Sequence, residues 1–178
     1  MKKTDLDKSI TIRVERHDDH EKIAQVVRNA FAGAEHTDGT EWQLVSRLRY
    51  SEDYIPGLSL VAEINGLVVG HIMMTRLRIA DKIGLALAPL SVAPEYQKNG
   101  IGGMLVEAAH AEAAKLGYHY SVVLGDDRYY SRFGYRQASE FGILPPFDVE
   151  SRFFMAKKLS DSESFDNSVV KYAPEFMM

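Results

Sequence analysis

The sequence predicts a mixed α/β fold, α+β in character, in which a twisted sheet carries helices on both faces. Three observations lead there. Leu85–Ala93 is a near-continuous apolar run, the pattern of a strand buried on both faces. A helical stretch, Ile101–Leu116, separates it from another apolar strand, Tyr118–Leu124, and such a crossover joins parallel neighbours. Asn65-Gly66 stands between two apolar runs, a strong hairpin signal, so antiparallel pairing is present as well.

The elements follow in order. Met1–Ser9 is polar and expected to be loose. Ile10–Val14 alternates and reads as the first strand. Asp18 or Asp19 can cap a helix to Phe31, with Ile23, Val26, Val27 and Ala30 on one face. After a loop from Gly33 to Gly39, Thr40 can cap a second helix carrying Trp42, Leu44, Val45 and Leu48. Pro56-Gly57 marks a turn, and Ser59–Ile64 and Leu67–Ile79 are the hairpin strands. Leu105, Ala108, Ala109 and Leu116 form the apolar side of the crossover helix, which Gly117 ends. Gly125-Asp126-Asp127 turns into a short helix, Arg128–Phe133. Phe141–Leu144 and Phe153–Lys158 are late strands around Pro145-Pro146. Ser160–Asn167 reads as a solvated link, and Ser168–Tyr172 as a final edge strand.

The 178 residues suit one domain, with a core of about residues 10–159 and a C-terminal extension over 160–178. Lys+Arg 21 against Asp+Glu 25 gives a net charge of −4, which argues against general nucleic-acid binding. With no cysteine, thiol chemistry, disulfides and cysteine zinc sites are excluded, and the six histidines form no tight ligand pair, so no metal is expected. No apolar leader or membrane-length run is present, so the expectation is a cytoplasmic protein without membrane contact. A late strand left unpaired at an edge could make a homodimer of a monomer.

The chemistry concentrates where the central strand runs into the crossover helix. Gly100, Gly102 and Gly103 sit at the helix start, where free N–H groups and the helix dipole favour phosphate oxygens. Glycines there let a ligand approach the main chain. The spacing is neither that of a P-loop nor that of a dinucleotide fingerprint. Gln97-Lys98-Asn99-Gly100-Ile101-Gly102 resembles the acetyl-CoA loop of the GNAT N-acetyltransferases, Gln/Arg-x-x-Gly-x-Gly/Ala. The segment before it, Leu90-Ser91-Val92-Ala93-Pro94-Glu95-Tyr96, resembles that family's strand-to-loop entry. Downstream, Tyr129-Tyr130-Ser131-Arg132-Phe133-Gly134-Tyr135 resembles the family segment Tyr-x-x-x-Gly-Phe/Tyr. The resemblance covers about Ile10–Leu159. It implies a sheet splayed open between the central strand and Tyr118–Leu124, with the cofactor entering the V-shaped gap. It also implies acetyl-CoA as co-substrate, held by Leu90, Ser91, Val92, Gln97, Lys98, Asn99, Gly100, Ile101, Gly102, Gly103, Met104, Tyr130 and Phe133. Tyr130 falls where many members place the tyrosine that assists the departing thiolate.

Direct acyl transfer to an amine sets three requirements. An amine of pKa ~10.4 is neutral only ~10⁻³·⁴ of the time at pH 7, a deficit of about 4.6 kcal/mol, so a base or a desolvating pocket is needed. The tetrahedral oxyanion needs a donor, and a backbone N–H near Leu90–Val92 can serve. The thiolate must leave; a thiol of pKa ~8.5 already leaves fairly well, so a tyrosine of pKa ~10 helps by hydrogen bonding more than by full proton transfer. The base is open. Many members use a carboxylate on the central strand, and Leu85–Leu90 contains none. Glu41 at the start of the second helix, Asp126 after the fifth strand and His71 on the third strand are the candidates. Two have a plainer alternative: a first-turn acid for Glu41, a hydrogen-bonded strand histidine for His71. The expectation is an acetyl-CoA-dependent N-acetyltransferase of a primary amine on a small molecule or peptide. A catalytically idle acyl-CoA-binding module on the same fold is the alternative.

Overall fold

In the computed structural model, which describes residues 9–35 and 37–178, nine strands build one mixed sheet. They are β1 (Ile10–Val14), β2 (Ser59–Ile64), β3 (Leu67–Ile79), β4 (Lys82–Val92), β5 (Tyr120–Leu124), β6 (Arg136–Gln137), β7 (Ile143–Leu144), β8 (Phe154–Lys158) and β9 (Ser168–Lys171). Their order is β1-β2-β3-β4-β5-β8-β6, with β9 paired to both β3 and β7. The α-helices are α1 (His20–Phe31), α2 (Glu41–Arg49), α3 (Ile101–Lys115) and α4 (Asp127–Tyr130). Of the expected loose N-terminus, residues 1–8 lie outside the described residues.

The β2–β3 hairpin turns on Asn65 and Gly66, whose φ angles of +50° and +82° are both left-handed, as a tight I′ turn demands. The crossover through α3 makes β4 and β5 parallel neighbours, but they pair only at Leu85↔Ser121 and Ala86↔Val122. Beyond Ala86 that side of β4 runs free, which is the splay.

The two faces of the sheet have different cover. Ile23 and Val27 of α1 and Val45 and Leu48 of α2 pack on Val61, Val68 and Met73. On the opposite face, Ile101, Leu105, Val106 and Ala109 of α3 pack on Ala62, Val69, Ile72, Leu85 and Leu87. Each such large apolar side chain is fully or nearly fully buried and stabilises the fold by about 1.5–3 kcal/mol. A bulge governs the sidedness of β4. Leu87 pairs with Met74 and Leu90 with Ile72, so Ala88 and Pro89 together face one partner residue. The extra residue shifts the alternation. Leu85, Leu87, Leu90 and Val92 all serve the α3 face, and Ser91 turns to the α1–α2 face.

Several expectations are corrected. Asp19 and Thr40 precede their helices without capping them through side chains: the Asp19 carboxylate takes Arg16 N–H at 2.7 Å and Arg13, and the Thr40 hydroxyl donates to Asp38 at 2.6 Å. Leu116 lies past the end of α3 and is half exposed. The late strand around Phe141 shrinks to β7 because Ala138–Phe141 winds into a 3₁₀ turn. Ser168–Lys171 is no edge: β9 lies between β3 and β7, and Tyr172 beyond it packs on Phe147 and Phe176.

Candidate active site

β4 leads into the site through a 3₁₀ turn, Pro94–Tyr96, and a loop whose own side chains tie it down. Gln97 Nε2 donates to Val92 O at 3.0 Å, and Asn99 Nδ2 to Tyr96 O and Gln97 O at 3.2 and 3.0 Å. Lys98 and Gly100 hold left-handed φ angles of +62° and +85°, which swing the chain onto the axis of α3. No side chain caps α3, and its first backbone bond is Met104 N–H to Gly100 O at 3.1 Å. The N–H groups of Ile101, Gly102 and Gly103 therefore have no intrahelical acceptor and point out of the positive end of the helix dipole. Met104, counted among the cofactor ligands from its sequence position, has its N–H engaged within the helix.

A cleft of about 830 Å³ opens in front of these amides. Leu90 and Val92 form one wall and Tyr129, Tyr130, Arg132 and Phe133 the other; Gln97, Lys98 and Gly100–Gly103 line the end between them, with Tyr96. Two of the three glycines admit a neighbour as well as a ligand. A Cβ on Gly102 would collide with the Tyr129 hydroxyl, and one on Gly103 would lie 3.2 Å from the Phe133 ring. The small helix start thus lets the aromatic wall close onto α3. Ser91, Asn99 and Met104 do not line the cleft. Tyr96, Tyr129 and Arg132 do, beyond the residues the loop motif points to. Arg132 lies 4.5 Å over the Tyr129 ring and donates to Tyr129 O at 3.2 Å.

Tyr130 stands in the second wall, over Gly125, with its ring edge-on to Tyr129 and Tyr135 at 5.0 and 5.6 Å. Burial pushes its hydroxyl above the ordinary tyrosine pKa, so it remains a proton donor at neutral pH. Its neighbour Tyr135 is fixed from behind by His110 Nε2 at 2.8 Å and Ser121 Oγ at 2.6 Å. Burial drives that histidine down to about 4, so it is neutral.

The three base candidates lie outside the cleft lining. Asp126 caps α4, taking Arg128 N–H at 2.8 Å and Tyr129 N–H at 3.3 Å, and the first of these bonds chiefly holds its carboxyl low. Glu41 accepts the Thr37 hydroxyl through one oxygen, while its buried Oε2 has no partner among the described residues. His71 is fully buried on the α1–α2 face of β3. Its Nε2 lies 3.0 Å from Ser59 Oγ and 3.4 Å from Glu15 Oε2.

Glu15 carries no sequence signal, yet it is the hub of this region. Its side chain is 3% exposed and meets Arg49 in a two-point contact of 2.8 and 3.1 Å; the Tyr54 hydroxyl donates to it at 3.0 Å. Burial works to raise the Glu15 carboxyl, but its bonds to His71 and Arg49 outweigh that and hold it far below the usual carboxylate range. Burial likewise keeps His71 below its ordinary pKa, against the pull of Glu15.

Comparison with known proteins agrees with this geometry. The family profile described as an acetyltransferase (GNAT) domain matches residues 56–137, which contain the hairpin, β4, the loop, α3 and the Tyr130 wall. The uncharacterised N-acetyltransferase YjhQ of Escherichia coli is 33% identical over 144 residues, covering 78% of this chain and 77% of YjhQ. The chain belongs to the GNAT acetyltransferase family. A second E. coli relative, the uncharacterised N-acetyltransferase YhbS, is 30% identical across 93% of this chain and 97% of its own. Among solved GNAT structures, YhbS in complex with CoA superposes with a TM-score of 0.85 at 25% identity, over 96% of this chain and 93% of that one. A Brucella melitensis GNAT acetyltransferase in complex with acetyl-CoA gives 0.79 at 31% identity, over 94% and 97%. Among the described residues no helix is long and apolar enough to cross a membrane.

Proposed function

We propose that this GNAT protein moves the acetyl group of acetyl-CoA directly to a primary amine of a small molecule or peptide, in the cytoplasm. One observation carries the reading: a single cleft joins three unclaimed amides at the start of α3 to the Tyr130 wall. The diphosphate takes the N–H groups of Ile101, Gly102 and Gly103, with Lys98 beside them as a counter-charge. The pantetheine arm runs along Leu90 and Val92, where the free edge of β4 offers main-chain groups to the thioester carbonyl. Tyr130 faces the sulfur and donates to the leaving thiolate. Structures of relatives bound to CoA and to acetyl-CoA support this use of the cleft.

The cleft lining contains no carboxylate, which favours one competing reading, an idle acyl-CoA-binding module. Titration calorimetry with acetyl-CoA, followed by a thiol-release assay over spermidine, an aminoglycoside and a lysine peptide, separates the two. Binding with amine-dependent CoA release is the expected result. Binding without release on any amine supports the idle module, and no binding overturns both.

A further inference from the structure

Arg128, Arg132, Arg136 and Arg152 follow one another along the segment from α4 to β8. Arg128 meets Asp126 at 3.5 Å, Arg152 meets Glu150 at 3.0 Å, and Arg136 pairs with Glu140. Of these arginines, Arg132 alone has no carboxylate partner among the described residues, and it alone lines the cleft. Its guanidinium is nonetheless held in place. Nε donates to Tyr129 O at 3.2 Å, and the group lies 4.5 Å over the Tyr129 ring and 5.4 Å over the Phe133 ring. Neither Nη has an acceptor among the described residues, and the residue is exposed. A fork of free donors, fixed on a carbonyl and two rings, gives up little further freedom when it takes an anion.

The place of Arg132 along the cleft selects the anion. The second wall is layered from β5 outward. Tyr130 stands over Gly125, at the end of β5, and against the buried Tyr135. Tyr129 and Phe133 close on Gly102 and Gly103 of α3. Arg132 lies over those two rings, at the edge of the cleft beside the helix start. In the cofactor placement above, the α3 amides take the diphosphate, and the pantetheine arm runs inward to Tyr130. The rest of CoA lies outward, and it is an adenosine whose ribose carries a 3′-phosphate. That group is a phosphate monoester with close to two negative charges at neutral pH. A guanidinium can meet its oxygens through two parallel N–H bonds, and no carboxylate lines the cleft to compete.

We propose that Arg132 binds the 3′-phosphate of CoA through its two Nη groups and makes the cleft selective for CoA over 3′-dephospho-CoA. The proposal rests on the cofactor placement above. The two ligands share their diphosphate and pantetheine, so the amides of α3, Lys98 and the apolar wall do not tell them apart. Arg132 supplies the discrimination, and its stack on Tyr129 and Phe133 ties the subsite to the same wall that carries Tyr130.

Titration calorimetry with CoA and with 3′-dephospho-CoA tests this without any acceptor amine. The wild type is expected to bind CoA about 10-fold more tightly than the dephospho form. Arg132→Gln is expected to weaken CoA binding by about the same factor and to leave 3′-dephospho-CoA within twofold, so that the preference disappears. Its melting temperature should match the wild type, because the side chain it shortens is exposed. Lys98→Gln serves as the comparison: it should weaken both ligands alike and keep the preference. A wild type that binds the two ligands within twofold of each other overturns the proposal. So does an Arg132→Gln protein that loses affinity for both equally, since Arg132 then serves the diphosphate or the packing of the wall. A preference abolished by Lys98→Gln and kept by Arg132→Gln moves the subsite to Lys98 and overturns it as well. Wild-type protein that binds neither ligand fails the cofactor placement itself, and the proposal with it, a result distinct from binding without preference.

Discussion

The two sides of β4 are built on opposite principles. The cleft side is made of main-chain amides, apolar walls and aromatic rings, and no carboxylate lines it. Its polarity comes from backbone geometry, the end of α3 and two left-handed residues. The α1–α2 side carries a dense and largely buried charged network, Glu15, Arg49, His71 and Tyr54. In the proposed function the cleft takes an anionic cofactor, and no carboxylate lines it to compete. The network keeps a carboxylate ionised where nothing anionic needs to bind.

The largest effect expected from disturbing this division lies in the network. Glu15→Ala leaves the guanidinium of Arg49, 8% exposed, without its carboxylate partner. Denaturant unfolding should report a loss of about 3–5 kcal/mol. A loss under 1 kcal/mol would mean that the network is surface-like, and the contrast between the two sides would disappear. Next comes the cleft wall: Tyr130→Phe should lower kcat by ~10²-fold, about 2.7 kcal/mol of barrier, while leaving CoA affinity within twofold in calorimetry.

Acid should act mainly on the interior histidines. His71 and His110 both have depressed folded pKa values, the latter about 4, so below an unfolded value near ~6.5 the unfolded chain binds more protons. Each then removes up to about 1.4 kcal/mol of stability per pH unit as pH falls from ~6.5 toward its folded pKa. Glu15, depressed in the fold, stabilises at neutral pH and loses that contribution only below the ordinary ~4.3. Melting temperatures should therefore decline from pH 6.5 downward, and His110→Gln should flatten the slope. The smallest effect is at Asp126, where Asp126→Ala removes the side-chain cap of α4 and should lower the melting temperature least of these variants. Its kcat should fall less than that of Tyr130→Phe, because α4 carries Tyr130 and only its start is loosened.

The same division explains what the sequence reveals. The loop, its glycines and Tyr130 lie within a few tens of residues and rest on local rules for strand, turn and helix start, so the cleft is legible before any coordinates. The bulge at Ala88-Pro89 is not, because it depends on register with Met73. Without it, the side on which Ser91 falls cannot be read. Glu15, Arg49, Tyr54, Ser59 and His71 come from separate segments and meet only through tertiary packing; no spacing announces Glu15. Asp126 was legible as an acid in a turn, but which of its uses prevails depends on the Arg128 and Tyr129 N–H groups it caps. Of the late strands, Phe153–Lys158 is legible as β8, whereas β6 and β7 are two-residue pairings made by partners, not by apolar pattern.

A crystal structure of the protein with acetyl-CoA tests the central claim most directly. The account predicts diphosphate oxygens within hydrogen-bond distance of the Ile101, Gly102 and Gly103 amides, and the thioester sulfur beside the Tyr130 hydroxyl. A diphosphate bound away from the start of α3, or an acyl arm pointing away from Tyr130, would contradict it.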